Sequence, residues 1–185
     1  MGFGADNWSA LSAVVGVIAV ICFQVAEWRR QRFAKGIDTV AQLDSRWDSV
    51  EFRDIRREAA AYLIDGNSTT EAAGEEAVRT VLNFYETLGF LNRKNVIDSE
   101  AIWHFFGSWI FPYYHASKPV RDKSRQLDPN CYSELESLVT AVREVEKKCH
   151  PSKSSLHLEL EENITKFLQR EAKLELAAVP STTPQ

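Results

Sequence analysis

Nowhere in its 185 residues does this chain carry a Gly-x-Ser-x-Gly elbow, a phosphate-binding glycine loop or a His-Glu-x-x-His pair. The acyl-transfer, nucleotide and zinc-protease chemistries that need those residues at those spacings are therefore without their sequence signatures. Charge is missing where its absence says most: Asn7 to Ala26, NWSALSAVVGVIAVICFQVA, contains no Asp, Glu, Lys or Arg. No Gly-rich, Ser-rich or repeated segment divides the chain, and hardly any stretch alternates like a strand. Only Leu156-His157-Leu158-Glu159-Leu160 does so. Cysteine is sparse, at Cys22, Cys131 and Cys149. If 131 to 149 is one helix, its two thiols lie about 27 Å apart and cannot bridge within it. Reduced cytoplasmic thiols are expected, with Cys22 a packed thiol rather than an acylated one.

The charge-free run is about 30 Å long as a helix, the hydrocarbon thickness of a bilayer. Trp8 and Trp28 bracket it, and Arg29, Arg30, Arg32 and Lys35 follow within seven residues. A signal peptide fits poorly, since MGFGADN has no basic residue and Gln24 to Trp28 is no cleavage site. Asp6 stands where myristoylation asks for Ser or Thr. The expectation is a membrane-spanning helix over 7–28 after a short extracytoplasmic N-terminus (1–6), then a basic juxtamembrane segment (29–36). A cytoplasmic helical domain (37–178) and a disordered tail (179–185) follow. The basic flank places the N-terminus outside and the domain inside the inner membrane, with the lipid bilayer as one partner. Ser12 and Gly16 would permit close approach of two such helices. On this topology Asn67-Ser68-Thr69 and Asn163-Ile164-Thr165 never meet the glycosylation machinery, although both match its acceptor pattern.

Net charge is −4, and since four positive charges lie in residues 29–35, the rest of the chain carries −8. That balance excludes the basic face of a nucleic-acid binder. Beyond the anchor, apolar residues recur at helical spacing throughout. Ile37, Val40, Leu43 and Trp47 form one face, in a helix that either continues from the span or breaks at Gly36. Phe52, Ile55, Ala59 and Leu63 form the next, ending at Asp65-Gly66, with a loop at 67–70. Val78, Val81, Leu82, Tyr85 and Leu88 give a third helix, closed by Gly89 as a left-handed cap. Asp98 caps a fourth, the aromatic run Ile102 to Phe111, with Pro112 a kink candidate and Pro119 restarting the chain. Asp128-Pro129-Asn130 opens a helix through Val145, and Leu156 to Leu176 supplies the last. The fold class is all-α: one transmembrane helix and a bundle of about five to six helices.

No metal or cofactor is expected. His104 and His115 lie about 16 Å apart on a straight helix, and no common zinc site uses adjacent Cys149 and His150. Acid pairs such as Glu75-Glu76 read as solvated helix faces, so no catalytic residue is assigned. The notable pattern is charge beside apolar faces: Arg53, Arg56, Glu86, Arg121 and Arg125. It reads as either a polar pocket or an interhelical ion-pair network, in which a forked Arg–carboxylate contact fixes helix register.

These residues also carry a resemblance. A membrane helix, Trp47-x4-Phe52-Arg53 with Arg56, and Leu82-Asn83-Phe84-Tyr85-Glu86-x-Leu88-Gly89 come first. Ile97-Asp98-x-Glu100 and a late Tyr-Tyr before Arg125 follow. Together they resemble the bacterial DUF4760 proteins of unknown function, over roughly residues 35–145. Tyr113-Tyr114 departs from the Tyr-Trp expected there. The resemblance implies a small membrane-tethered helical domain, with no activity, substrate or catalytic residue. The functional expectation is a single-pass protein whose helical domain acts as a protein-interaction or scaffold module, through a protein partner or self-association. The alternative is a tethered enzyme or ligand-responsive effector, in stress or phage defence, using the Arg/Glu pocket.

Overall fold

The computed structural model describes residues 5–65, 71–149 and 161–173; the expected loop at 67–70, the alternation at 156–160 and the tail at 179–185 lie outside the described residues. Among the described residues every element is helical: α1 (Ala5–Trp47), α2 (Val50–Asp65), α3 (Glu71–Arg93), α4 (Ser99–Ala116), α5 (Lys118–Leu127), α6 (Ser133–Cys149) and α7 (Glu161–Glu171).

The membrane-spanning helix expected at 7–28 is not found. Among the described residues no helix is long and apolar enough to cross a membrane. The helical unit is not twenty residues but forty-three, and it carries Glu27, Arg29, Arg30, Arg32 and Lys35 near its middle. The charge-free run is thus the first part of a longer helix whose second half is polar and belongs to the bundle. Gly36 does not break it. A Cβ there would stand 2.8 Å from the carbonyl oxygen of Val96, so glycine lets α1 lie against the α3–α4 connection. Of the residues assigned to a membrane interface, Arg30 and Lys35 are exposed, whereas the side chains of Trp8, Trp28, Arg29 and Arg32 lie outside the described residues.

From Gly36 onward α1 joins the core through Val40, Leu43 and Trp47. A tight turn follows, in which the Ser49 hydroxyl accepts the amide of Phe52 at 3.2 Å and opens α2. Helix α3 packs along both α2 and α6, and α4 packs against α6 and α7. Helix α3 buries Val78, Val81, Leu82, Phe84, Tyr85 and Leu88. Each such side chain contributes about 1.5–3 kcal/mol on leaving water. Asp98 caps α4 as its spacing predicts, accepting the amide of Glu100 at 2.7 Å. Helix α4 continues through the buried Pro112 to Ala116, and Pro119 lies in the first turn of α5.

Gly89 is a second correction. It does not end α3, which runs on to Arg93 and turns at Asn95, where φ is 52°. Glycine is needed at 89 for another reason: a Cβ would come within 2.3 Å of the Glu134 carbonyl oxygen, in the first turn of α6. The centre of the core is Trp47, 1% exposed, with six aromatic rings around it at centroid distances from 4.9 to 6.4 Å: Phe52, Phe84, Tyr85, Phe106, Trp109 and Tyr113. Edge-on and tilted pairs of this kind are each worth about 0.5–1.5 kcal/mol beyond their buried area.

Candidate functional site

The end of α1 delivers Trp47 to the middle of the bundle, and α2 lays the guanidinium of Arg56 over its ring at 4.6 Å. Arg56 is 3% exposed, so its charge has left water and needs compensation. Glu171 of α7 supplies it at 3.5 Å, and Asp48 in the turn before α2 stands at 3.9 Å. Helix α4 adds two donors. The Trp109 Nε1–H donates to Glu171 at 3.3 Å, and the Tyr113 hydroxyl lies 3.4 Å from the same carboxylate and 3.2 Å from the Arg56 carbonyl oxygen. Burial pushes the Glu171 carboxyl up from its ordinary range, against the downward pull of Arg56, Trp109, Tyr113 and Arg170. Burial likewise pushes the Tyr85 and Tyr113 hydroxyls well up. Three buried atoms at this site make no hydrogen bond: Trp47 Nε1, Arg56 Nε and the Tyr85 hydroxyl.

A second polar cluster joins α4, α5 and α6. One Glu136 carboxylate oxygen receives Arg125 at 2.6 Å, Arg121 at 3.5 Å and the Tyr114 hydroxyl at 3.4 Å. The Arg121 guanidinium stands over the Tyr114 ring, 3.8 Å from its centroid, and donates to the Tyr114 carbonyl oxygen at 2.9 Å. Arg125 also donates to the Cys131 carbonyl oxygen at 3.2 Å. Glu86 serves neither cluster. Its carboxylate accepts the backbone amides of Glu134 and Leu135, at 3.2 and 2.7 Å, and so caps the N-terminus of α6.

The five charged residues singled out in the sequence are thus divided. Arg121 and Arg125 meet on Glu136, Arg56 pairs with Glu171, Glu86 binds backbone, and Arg53 sits half-buried in α2 one turn before Arg56. Sequence reading passed over Glu171, Trp109, Tyr113 and Glu136. A signal for Glu171 was present: Ile164, Phe167, Leu168 and Glu171 stand at i, i+3, i+4 and i+7, which puts an acid on the apolar stripe of α7. Elsewhere a shallow cleft is lined by Ala72, Glu75, Glu76, Arg79 and Lys123. There Lys123 and Arg79 hold the Glu75 carboxyl below its ordinary range. Among the described residues no three His, Cys, Asp or Glu side chains gather as a metal site.

An all-helical domain with an aromatic core, a buried Arg–Glu pair and a long N-terminal helix is the class defined by these features. The family model DUF4760, a domain of unknown function, matches residues 9–142, and the chain belongs to that family. The match begins four residues after the start of α1 and ends in α6, so α7 lies beyond it. Comparison with curated proteins and with solved structures gives no match.

Proposed function

We propose that the chain is a non-catalytic helical interaction module, which associates with a second copy of itself through the charge-free part of α1. The observation that carries this reading is the exposure of Val20, Ile21, Phe23 and Val25, at 57, 54, 72 and 45%. Such a run of uncovered large apolar side chains is costly in water and marks a contact surface. No charge interrupts α1 between Asp6 and Glu27, so the surface best suited to it is another uncharged helix. Every copy of the chain carries one. The family match takes in most of this arm, which therefore belongs to the shared domain. The division of Arg56, Glu86 and Arg125 among separate partners also favours structural roles for them over one ligand pocket.

Sedimentation of the full chain tests the reading. A dimer or higher oligomer is expected, and V20D/F23D should be monomeric with unchanged helicity. A monomeric wild-type chain, or one that floats with lipid vesicles as a monomer, would overturn it.

A further inference from the structure

Helix α7 is held unlike the other helices. It has eleven residues, too few for a stable helix alone in water, and its main contacts are with α2 and α4. It buries Phe167, Leu168 and Glu171, with Phe167 edge-on to the Tyr113 ring at 5.4 Å. Glu171 reaches Arg56, Trp109 and Tyr113 only at 3.3 to 3.5 Å. Those separations sit at or beyond the long end of the usual range of about 2.7–3.2 Å. Trp47 Nε1, Arg56 Nε and the Tyr85 hydroxyl stay unpaired beside it. The surface under α7 therefore offers more hydrogen-bonding capacity than α7 uses. That surface lies inside the family match, whereas α7 lies outside it. In sequence, α7 is separated from α6 by residues 150–160.

We propose that the groove between α2 and α4 is a receptor for a Phe-Leu-x-x-Glu helix, filled by the chain's own α7 and exchangeable for the α7 of a second copy. The partner is a second copy because its α7 has the one sequence seen to fit: Phe167 against Tyr113, Leu168 buried next to it in the chain, and one carboxylate for Arg56. The inference rests on the interaction-module reading and adds a second contact to it, remote in sequence from the α1 arm. An internal α7 competes with any external copy at a high effective concentration, so exchange is weak until α7 is loosened or the arms hold two copies together.

The test uses a fluorescent peptide of residues 161–173 and the full chain, read by anisotropy. Weakening the internal helix with F167A/L168A should tighten peptide binding by about tenfold or more relative to wild type. A peptide carrying Glu171→Ala should lose most of that binding, and V20D/F23D should leave it unchanged. Equal binding by wild type and F167A/L168A, or none by either, would overturn the proposal. So would loss of cooperative unfolding in F167A/L168A, since α7 would then be an integral part of the core. Full binding of the Glu171→Ala peptide would overturn the carboxylate recognition. Failure of arm pairing alone leaves the peptide result standing, so the two readings fail separately.

Discussion

At the scale of single residues, contact distance decides more than propensity does. Gly89 is the clearest case, because the atom that a Cβ would strike belongs to the Glu134 backbone and cannot swing aside. Either α3 and α6 must separate or the first turn of α6 must deform. Gly89→Ala should cost about 2–3 kcal/mol, at the upper end of overpacking penalties, despite the better helix propensity of alanine. Urea denaturation would show it as a lower midpoint with an unchanged slope. The sequence offers glycine after Leu88 as a helix stop, and that is the ordinary meaning of glycine in such a place. Its actual role depends on a partner 45 residues away, which no local pattern encodes. Trp47 was easier to place, since it closes a regular 40/43/47 face. That six rings converge on it could not be read, because they come from α2, α3 and α4.

At the scale of elements, the helices join through side chains that satisfy another helix's backbone or charge. Glu86 of α3 ties down two of the amides that begin α6, a capping role filled from outside the helix. Glu86→Ala should cost about 1–2 kcal/mol, the usual loss for a helix cap, and Glu86→Gln less because an acceptor remains. Thermal unfolding followed by far-UV circular dichroism would rank the two variants. Charge beside an apolar face drew attention to Glu86 in the sequence. Its partner stayed hidden because backbone amides have no residue signature. Arg121 and Arg125 show the converse: both were legible as buried-side cations, but Glu136 looked like one acid among many on α6.

At the scale of the molecule, carboxylates of two kinds set the response to pH. Glu75, Glu134 and Asp122 are held below their ordinary range by Lys123 with Arg79, by Arg93 and by Lys118 respectively. Their contribution is present above the unfolded-state values and lost as pH falls through the folded ones. Glu171 runs the other way. Facing it are Arg56 from α2, Trp109 and Tyr113 from α4, Tyr85 from α3, and its own neighbour Arg170, yet burial outweighs their pull. A carboxyl raised by burial favours the folded state while protonated, and that share is lost as pH rises above the ordinary glutamate value of about 4.3. Asp44, raised by burial and by Asp48, adds in the same sense. The buried tyrosines, whose hydroxyls are pushed up, stay neutral across this window. The melting temperature should peak in mildly acidic solution and decline toward neutrality, and Glu171→Gln should flatten that decline while keeping the acid limb. Calorimetry from pH 3 to 8 checks both limbs.

The all-α class, the end of α2 at Asp65 and the Asp98 start of α4 were legible because apolar spacing and capping residues are local signals. The first half of α1 was not, because a charge-free run has the same composition in a bilayer, in a buried helix and at the head of a longer one. What separates them is where the helix ends, and α1 ends only at Trp47.

That unbroken course has a geometric consequence. Along an α-helix each residue advances about 1.5 Å and turns about 100°. The bearing of every backbone position on the arm is therefore set by Val40 and Trp47, which the core clamps. The helix acts as a shaft about 65 Å long keyed at one end, with Gly36 seated on Val96 as its bushing. Two arms pressed together along one side would dictate the compass bearing of both bundles. One residue inserted near position 34 would swing the arm about 100° around its axis without disturbing the core.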